Sequence, residues 1–286
     1  MKPETVESAN GGKLLVLDVD GVLIDPCGSF EKCAAMALNE IAPDLAWSDE
    51  LYWRFKRISG FNNDFRLTAA AVALFEAGEI DHLSEGRIDS AQSDQGCGEA
   101  EPPVRRRAGG GSPHTALSEM RDTGFPHLEK RIGELEPHCK ERVQFYYQSV
   151  KHLERPLITY SELEALKGWD VAILTGRPPE ELTLAFEVLG FELPAVGDTC
   201  PEFRKPAPGG LIHLADTFKA KRVYFVGDTT DDATCLRRAR EARPDLELTF
   251  VAVNKLRFEI TQPEDLAYPA LRDFVAFLHQ NCVQQS

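Results

Sequence analysis

Leu14-Leu-Val-Leu-Asp18-Val-Asp20-Gly21-Val22-Leu23 runs four aliphatic residues straight into two carboxylates one residue apart. An apolar run of this length ended by a glycine reads as a strand buried on both faces, the kind that parallel sheets use. Asp18 then falls at the carboxyl end of the strand, the edge where open α/β sheets bind their ligands. Two acids at i and i+2 on that edge suit an oxygen-loving cation such as Mg²⁺, and Gly21 permits a sharp exit.

Two later stretches repeat the design. Val171-Ala-Ile-Leu174 ends in Thr175-Gly176-Arg177-Pro178, and Val223-Tyr-Phe-Val226 ends in Gly227-Asp228-Thr-Thr-Asp231-Asp232. Helical patterns separate them over Glu180 to Leu189 and near Gly210 to Phe218. Leu248 to Val253 supplies a further strand, and Leu266 to Leu278 reads as a closing helix. A capping box is expected at Ser161-Glu-Leu-Glu164. Strand alternating with helix implies an α/β fold, a doubly wound parallel sheet.

Between the first strand and this alternation lies a stretch of different texture. Helical patterns begin at Ser29, near Ser48 and at Asp64, and another spans about 126 to 151, with no strand among them. The expected organisation is an α/β core from residues 1–25 and 156–286, with an α-helical cap inserted at 26–155. Within the insert, residues 84–112 hold six glycines, Pro102-Pro103 and Arg105-Arg-Arg107, with Ile88 and Val104 as large aliphatics. Such a composition cannot build a core, so this segment is expected to be mobile.

With 286 residues there is room for one large or two modest domains. Thirty-two basic residues against 46 acidic give a net charge of −14, which opposes nucleic acid phosphates and anionic membranes and favours a small metabolite. Seven scattered cysteines without a Cys-x-x-Cys pair suit a reducing cytosol. Met1 to Gly12 is polar, and no apolar run has membrane-spanning length, so a cytoplasmic protein is expected. No two of the seven histidines show metal-ligand spacing, and no Gly-x-Ser-x-Gly occurs.

A fourth element completes the set. Arg204-Lys205-Pro206-Ala-Pro208 places a cation between the second and third strands, and Pro206 biases Lys205 to an extended backbone. Taken together, the four segments resemble the signatures of the haloacid dehalogenase superfamily, in particular its phosphatases with a helical cap. Asp18-x-Asp20-Gly21 matches the first signature, Thr175 the second, Lys205 to Pro208 the third, and Gly227-Asp228 with Asp232 the fourth. The resemblance covers residues 13–25 and about 156–280. It covers the insert in position and helical character alone.

The resemblance implies hydrolysis of a small phosphorylated metabolite through an aspartyl-phosphate. In that scheme Asp18 is the nucleophile, and Asp20 protonates the leaving oxygen and then deprotonates water. Mg²⁺ is held by Asp18, the backbone carbonyl of Asp20 and Asp228, with Asp232 supporting the ligands from outside. Thr175 and Gly176 bind phosphoryl oxygens, and Lys205 offsets the charge around Asp18. Asp20 argues for phosphorus chemistry rather than dehalogenation. A phosphomutase shares every one of these residues, and a domain that has kept the fold as a binding module is the alternative of another class.

For substrate contacts the expected places are the turn Gly60-Phe-Asn62-Asn63-Asp64 with Arg66, and Arg177. Amides and a guanidinium suit a sugar phosphate or a phosphorylated short acid. The competing reading of the turn is a helix start with Asp64 as its cap. For Arg177 it is a partnership with a surface carboxylate.

Overall fold

The computed structural model describes residues 12–26, 28–58, 60–80, 125–254 and 260–283. The segment 84–112 lies outside them. Two compact units hold the described residues. One takes the chain up to residue 27 and again from Leu153, the other the chain from Gly28 to His152.

The first unit is a six-stranded, all-parallel sheet. Its strands are β1 (Lys13–Leu17), β4 (Asp170–Leu174), β5 (Ala195–Val196), β6 (Arg222–Gly227), β7 (Glu247–Ala252) and β8 (Leu266–Ala267), in the order β5-β4-β1-β6-β7-β8. β1 is central: Leu17 pairs with Ile173 on one side and with Val226 on the other. Alternation along the strands sorts the core into two layers. Leu15, Leu17, Ile173, Val226 and Val251 pack with Ala185, Phe274 and Leu278 on one face. Leu14, Val16, Leu174, Phe225 and Phe250 pack with Leu211, Leu214, Leu236 and Ala239 on the other. With both faces covered, every strand position in the centre can be apolar, which is why these strands read as unbroken hydrophobic runs.

A separate two-stranded ribbon pairs β2 (Ile24–Asp25) with β3 (Arg155–Pro156), antiparallel. It clasps the chain where it leaves the sheet unit and where it returns.

In the second unit the helices are α1 (Ser29–Ile41), α2 (Asp49–Lys56), α3 (Asp64–Ala77) and α4 (Glu129–Val150). Phe65 and the whole run Leu67 to Leu74 are buried, so α3 is the helix the others surround. Phe55, Phe61 and Phe125 meet ring to ring in its core, with centroids 5.4 to 6.2 Å apart. α4 continues through Pro137 because Ile132, Cys139, Val143 and Tyr147 anchor it on both sides of the proline.

α1 does begin at Ser29, behind Gly28 with φ +70°. Other expected boundaries move. The capping box is Thr159 with Glu162, not Ser161 with Glu164. The sequence carries two overlapping Ser/Thr-x-x-Glu patterns here, and the earlier one is used. Leu266–Ala267 extends the sheet, and the closing helix starts at Leu271, beyond Pro269. Among the described residues no helix is long and apolar enough to cross a membrane. Four described cysteines, Cys33, Cys139, Cys200 and Cys235, form no disulfide.

Candidate functional site

Three strands deliver their first polar residues to one edge. Asp18 follows β1, Thr175 follows β4 and Asp228 follows β6, and the pairing of Leu17 with Ile173 and Val226 sets all three at nearly one level. The Asp18 amide donates to Val226 O at 3.0 Å, which fixes the backbone under the carboxylate. Just beyond, the chain folds back on itself: the Leu23 and Ile24 amides donate to Val19 O at 2.8 and 2.9 Å. Gly21 takes φ +72° in this turn, and a Cβ there would overlap the Asp228 carboxylate. The glycine is thus needed twice, for its conformation and for the space it leaves.

Carboxylate oxygens of Asp18, Asp228 and Asp232 lie within 4.8 Å of one another, all three residues buried. Lys205 reaches into this cluster, with Nζ 2.8 Å from Asp18 Oδ1 and 2.6 Å from Asp232 Oδ1. The other Asp232 oxygen accepts from the Thr229 amide at 3.0 Å, the Thr229 hydroxyl at 2.6 Å and the Asp228 amide at 3.2 Å. Asp232 is therefore committed through both oxygens to Lys205 and to the first turn of the helix Thr230–Ala242, for which it completes a capping box with Thr229.

Electrostatics follow from this crowding. Burial lifts the Asp18 carboxyl to about 7. The Lys205 ammonium pulls against it, and Asp232 and Asp20 push it further up. Burial alone would depress Lys205, but the carboxylates of Asp18 and Asp232 hold it above the ordinary lysine range.

Do these residues fit a divalent cation? Three carboxylates against one ammonium leave two negative charges to be compensated, the charge of one such ion. The donors are all hard oxygens, as Mg²⁺ requires. The fit is good for Asp18 and Asp228, whereas Asp232 acts from behind them.

Thr175 is buried, and its hydroxyl accepts from the Arg177 amide at 3.2 Å, which keeps its own O–H for donation. At Gly176 a Cβ would meet no atom within 4 Å. Arg177 is buried to 2 % exposure and lies against Asp20: Nε donates to Oδ2 at 3.0 Å and Nη2 to Oδ1 at 2.6 Å. The same Nη2 donates to Glu154 Oε2 at 3.1 Å. Its guanidinium thus serves the protein's own carboxylates. Glu154 carries no motif, and nothing in the sequence points to it.

The turn in the helical unit is likewise engaged internally. Asn63, not Asp64, caps α3, its Oδ1 accepting from the Phe65 and Arg66 amides. Asp64 instead accepts from the Tyr52 hydroxyl at 2.8 Å and from Lys56 Nζ at 3.1 Å, and Lys56 also reaches Asn62 O at 2.6 Å. Arg66 forks onto Glu129 of α4 at 2.6 and 2.8 Å. Asn63 therefore caps α3, the Asn62 carbonyl ties the turn to α2 through Lys56, and Arg66 ties α3 to α4, with these partners all inside the helical unit.

The site is thus the acid-lined carboxyl edge of a parallel sheet, with one buried lysine among the acids. The family model described as haloacid dehalogenase-like hydrolase matches residues 13–240, and the chain belongs to that family. Among curated proteins, no relative matches the sequence. Solved structures share the fold at low identity. Phosphatase Tt82 from Thermococcus thioreducens is 18% identical with a TM-score of 0.55, over 93% of this chain and 99% of that one. A predicted phosphoglycolate phosphatase from Haemophilus somnus is 16% identical with a TM-score of 0.56, over 94% and 99%. β-Phosphoglucomutase from Clostridium difficile is 11% identical with a TM-score of 0.51, over 95% and 99%.

Proposed function

We propose that this hydrolase is a magnesium-dependent phosphatase that acts on a small phosphorylated metabolite, a sugar phosphate or a phosphorylated short acid, through an aspartyl-phosphate on Asp18. The observation that carries the reading is the buried Asp18 carboxylate, paired with Lys205 at 2.8 Å on the edge it shares with Asp228 and Thr175. The named phosphatases with this fold lend support as neighbours in architecture. Cysteines outside any disulfide suit a reducing cytosol.

In this mechanism an Asp18 oxygen attacks phosphorus, and the bond from phosphorus to the ester oxygen breaks. The leaving oxygen takes a proton from Asp20. Asp20 then accepts a proton from water, whose oxygen attacks the same phosphorus and releases inorganic phosphate with Asp18 restored. Thr175 Oγ and the Gly176 amide donate to phosphoryl oxygens, and Lys205 steadies Asp18 between attacks. Asp18, Asp228 and the Asp20 carbonyl would hold Mg²⁺, which when bound supplies positive charge against the repulsion between a carboxylate and a phosphate dianion.

The test is a panel of phosphate esters, with para-nitrophenyl phosphate, phosphoglycolate and hexose phosphates among them, assayed with Mg²⁺ and with EDTA. Release of inorganic phosphate with Mg²⁺, its loss in EDTA and its abolition by Asp18→Asn are the expected results. Undiminished turnover in EDTA would overturn the metal assignment, and an isomeric sugar phosphate as product would make the enzyme a mutase.

A further inference from the structure

We infer that Arg177, anchored by Glu154, is a positioning residue that aims the Asp20 carboxyl. The inference rests on the phosphatase reading for what Asp20 does, and on geometry alone for how Asp20 is held. Asp20 follows the end of β1 in a tight turn, and its side chain is 32 % exposed. A carboxyl in that setting would exchange among rotamers in solvent. Arg177 prevents this by a fork in which two parallel N–H donors meet both carboxylate oxygens, the geometry that guanidinium offers and ammonium does not. Each oxygen keeps a further lone pair, so the fork leaves room for the proton that Asp20 must carry.

The fork is itself rigidly mounted. The Arg177 amide donates to Thr175 Oγ1 at 3.2 Å, and its carbonyl accepts from the Asp198 amide at 3.1 Å. A Cβ on Gly197 would press on that same carbonyl, so the backbone around Arg177 is closely packed. Behind the guanidinium stands Glu154, its side chain 1 % exposed, with Oε2 3.1 Å from Nη2. A charge buried this deeply requires a partner, and Glu154 supplies one that stays in place whatever Asp20 does. The same three-residue turn that presents Thr175 therefore also sets the direction of Asp20. A substrate anion has no such access to Arg177, whose Nε, Nη1 and Nη2 all face protein acceptors.

A positioning role leaves a kinetic mark that a clasp holding the fold together does not. Proton donation matters most when the leaving oxygen is strongly basic, as in an alkyl ester, and least for para-nitrophenolate. Full-length Arg177→Lys, and the double variant Arg177→Met with Glu154→Leu, which removes the two deeply buried charges together and leaves only the part-exposed Asp20 without its partner, are compared with the unmodified protein. With Mg²⁺ present, kcat on glycerol 2-phosphate should fall about 100-fold in the double variant and kcat on para-nitrophenyl phosphate less than about 10-fold, with KM on both nearly unchanged and Arg177→Lys intermediate. A crystal structure of the double variant should show the Asp20 carboxyl turned out of its present direction. Equal losses on the two esters, or an Asp20 that keeps its place without Arg177, overturn the inference. Should the unmodified protein hydrolyse none of the panel of phosphate esters, the phosphatase reading fails, and the position of Asp20 in the variant crystal decides this inference on its own.

Discussion

Replacing Asp18 by asparagine removes a buried acid without changing its shape, and the pH dependence of the effect follows from the structure. In the metal-free protein, burial raises the Asp18 carboxyl from an ordinary 3.8 to about 7. Between those values the folded state binds a proton that the unfolded chain has already released, so stability falls as pH rises through the window. The contribution is intact below about pH 4 and lost by about pH 7, at a cost of about 4 kcal/mol, each pH unit being worth about 1.4 kcal/mol. The amide of the variant cannot titrate. Relative to the parent, Asp18→Asn should therefore gain stability from pH 4.5 to pH 8, whatever constant offset it suffers from losing the Lys205 ion pair. Urea denaturation in EDTA, followed by far-UV circular dichroism, measures the difference between the two proteins at each pH, so that the titrations of groups remote from Asp18 cancel. In melting temperature the change amounts to roughly 10 °C across the range for a unit of this size. Excess Mg²⁺ should flatten the slope for the parent, since a cation beside Asp18 favours its ionised form, and should leave the variant less affected. A difference between the two proteins that is constant from pH 4.5 to pH 8 would refute the reasoning. So would one that shrinks as pH rises.

Gly21→Ala should lower stability by about 1 to 3 kcal/mol from the positive φ and weaken the stabilisation conferred by Mg²⁺, because its Cβ displaces the Asp228 carboxylate; thermal melts with and without Mg²⁺ check this, and an unchanged Mg²⁺ response would count against Asp228 as a ligand. Phe55→Ala removes the ring that touches both Phe61 and Phe125 and should cost about 3 to 5 kcal/mol, measured by calorimetry; a loss below about 1 kcal/mol would show that the helical core does not depend on that cluster.

What the sequence shows of this molecule depends on how local the cause is. The central strands are legible because burial on both faces turns each into an apolar run, and each polar residue after such a run is set at the sheet edge by strand geometry alone. Asp18, Thr175 and Asp228 are thus legible in the sequence as residues of one edge, where strand pairing sets them. Strands of two residues, such as Ala195–Val196 and Leu266–Ala267, carry no periodicity and take their pairing from neighbours distant in sequence. Caps are ambiguous for a related reason: Asn63 and Asp64 are both good caps, and the choice falls to Tyr52 and Lys56, which claim the Asp64 carboxylate.

Arg177 marks the limit most clearly. Its neighbours in sequence, Thr175, Gly176 and Pro178, suggest a loop residue open to substrate, yet its partners are Asp20, 157 residues away, and Glu154, 23 residues away. Neither pairing follows from a pattern, because an arginine in a sheet-edge loop is equally able to face outward. What decides it is the fold: β4 lies beside β1, so the turn after one strand meets the turn after the other, and the return of the chain through β3 brings Glu154 behind both. Once that topology exists, an arginine pointing inward meets two carboxylates and gains charge-assisted hydrogen bonds to each. The sequence carries the residues of the site, and the order of the strands determines which of them meet.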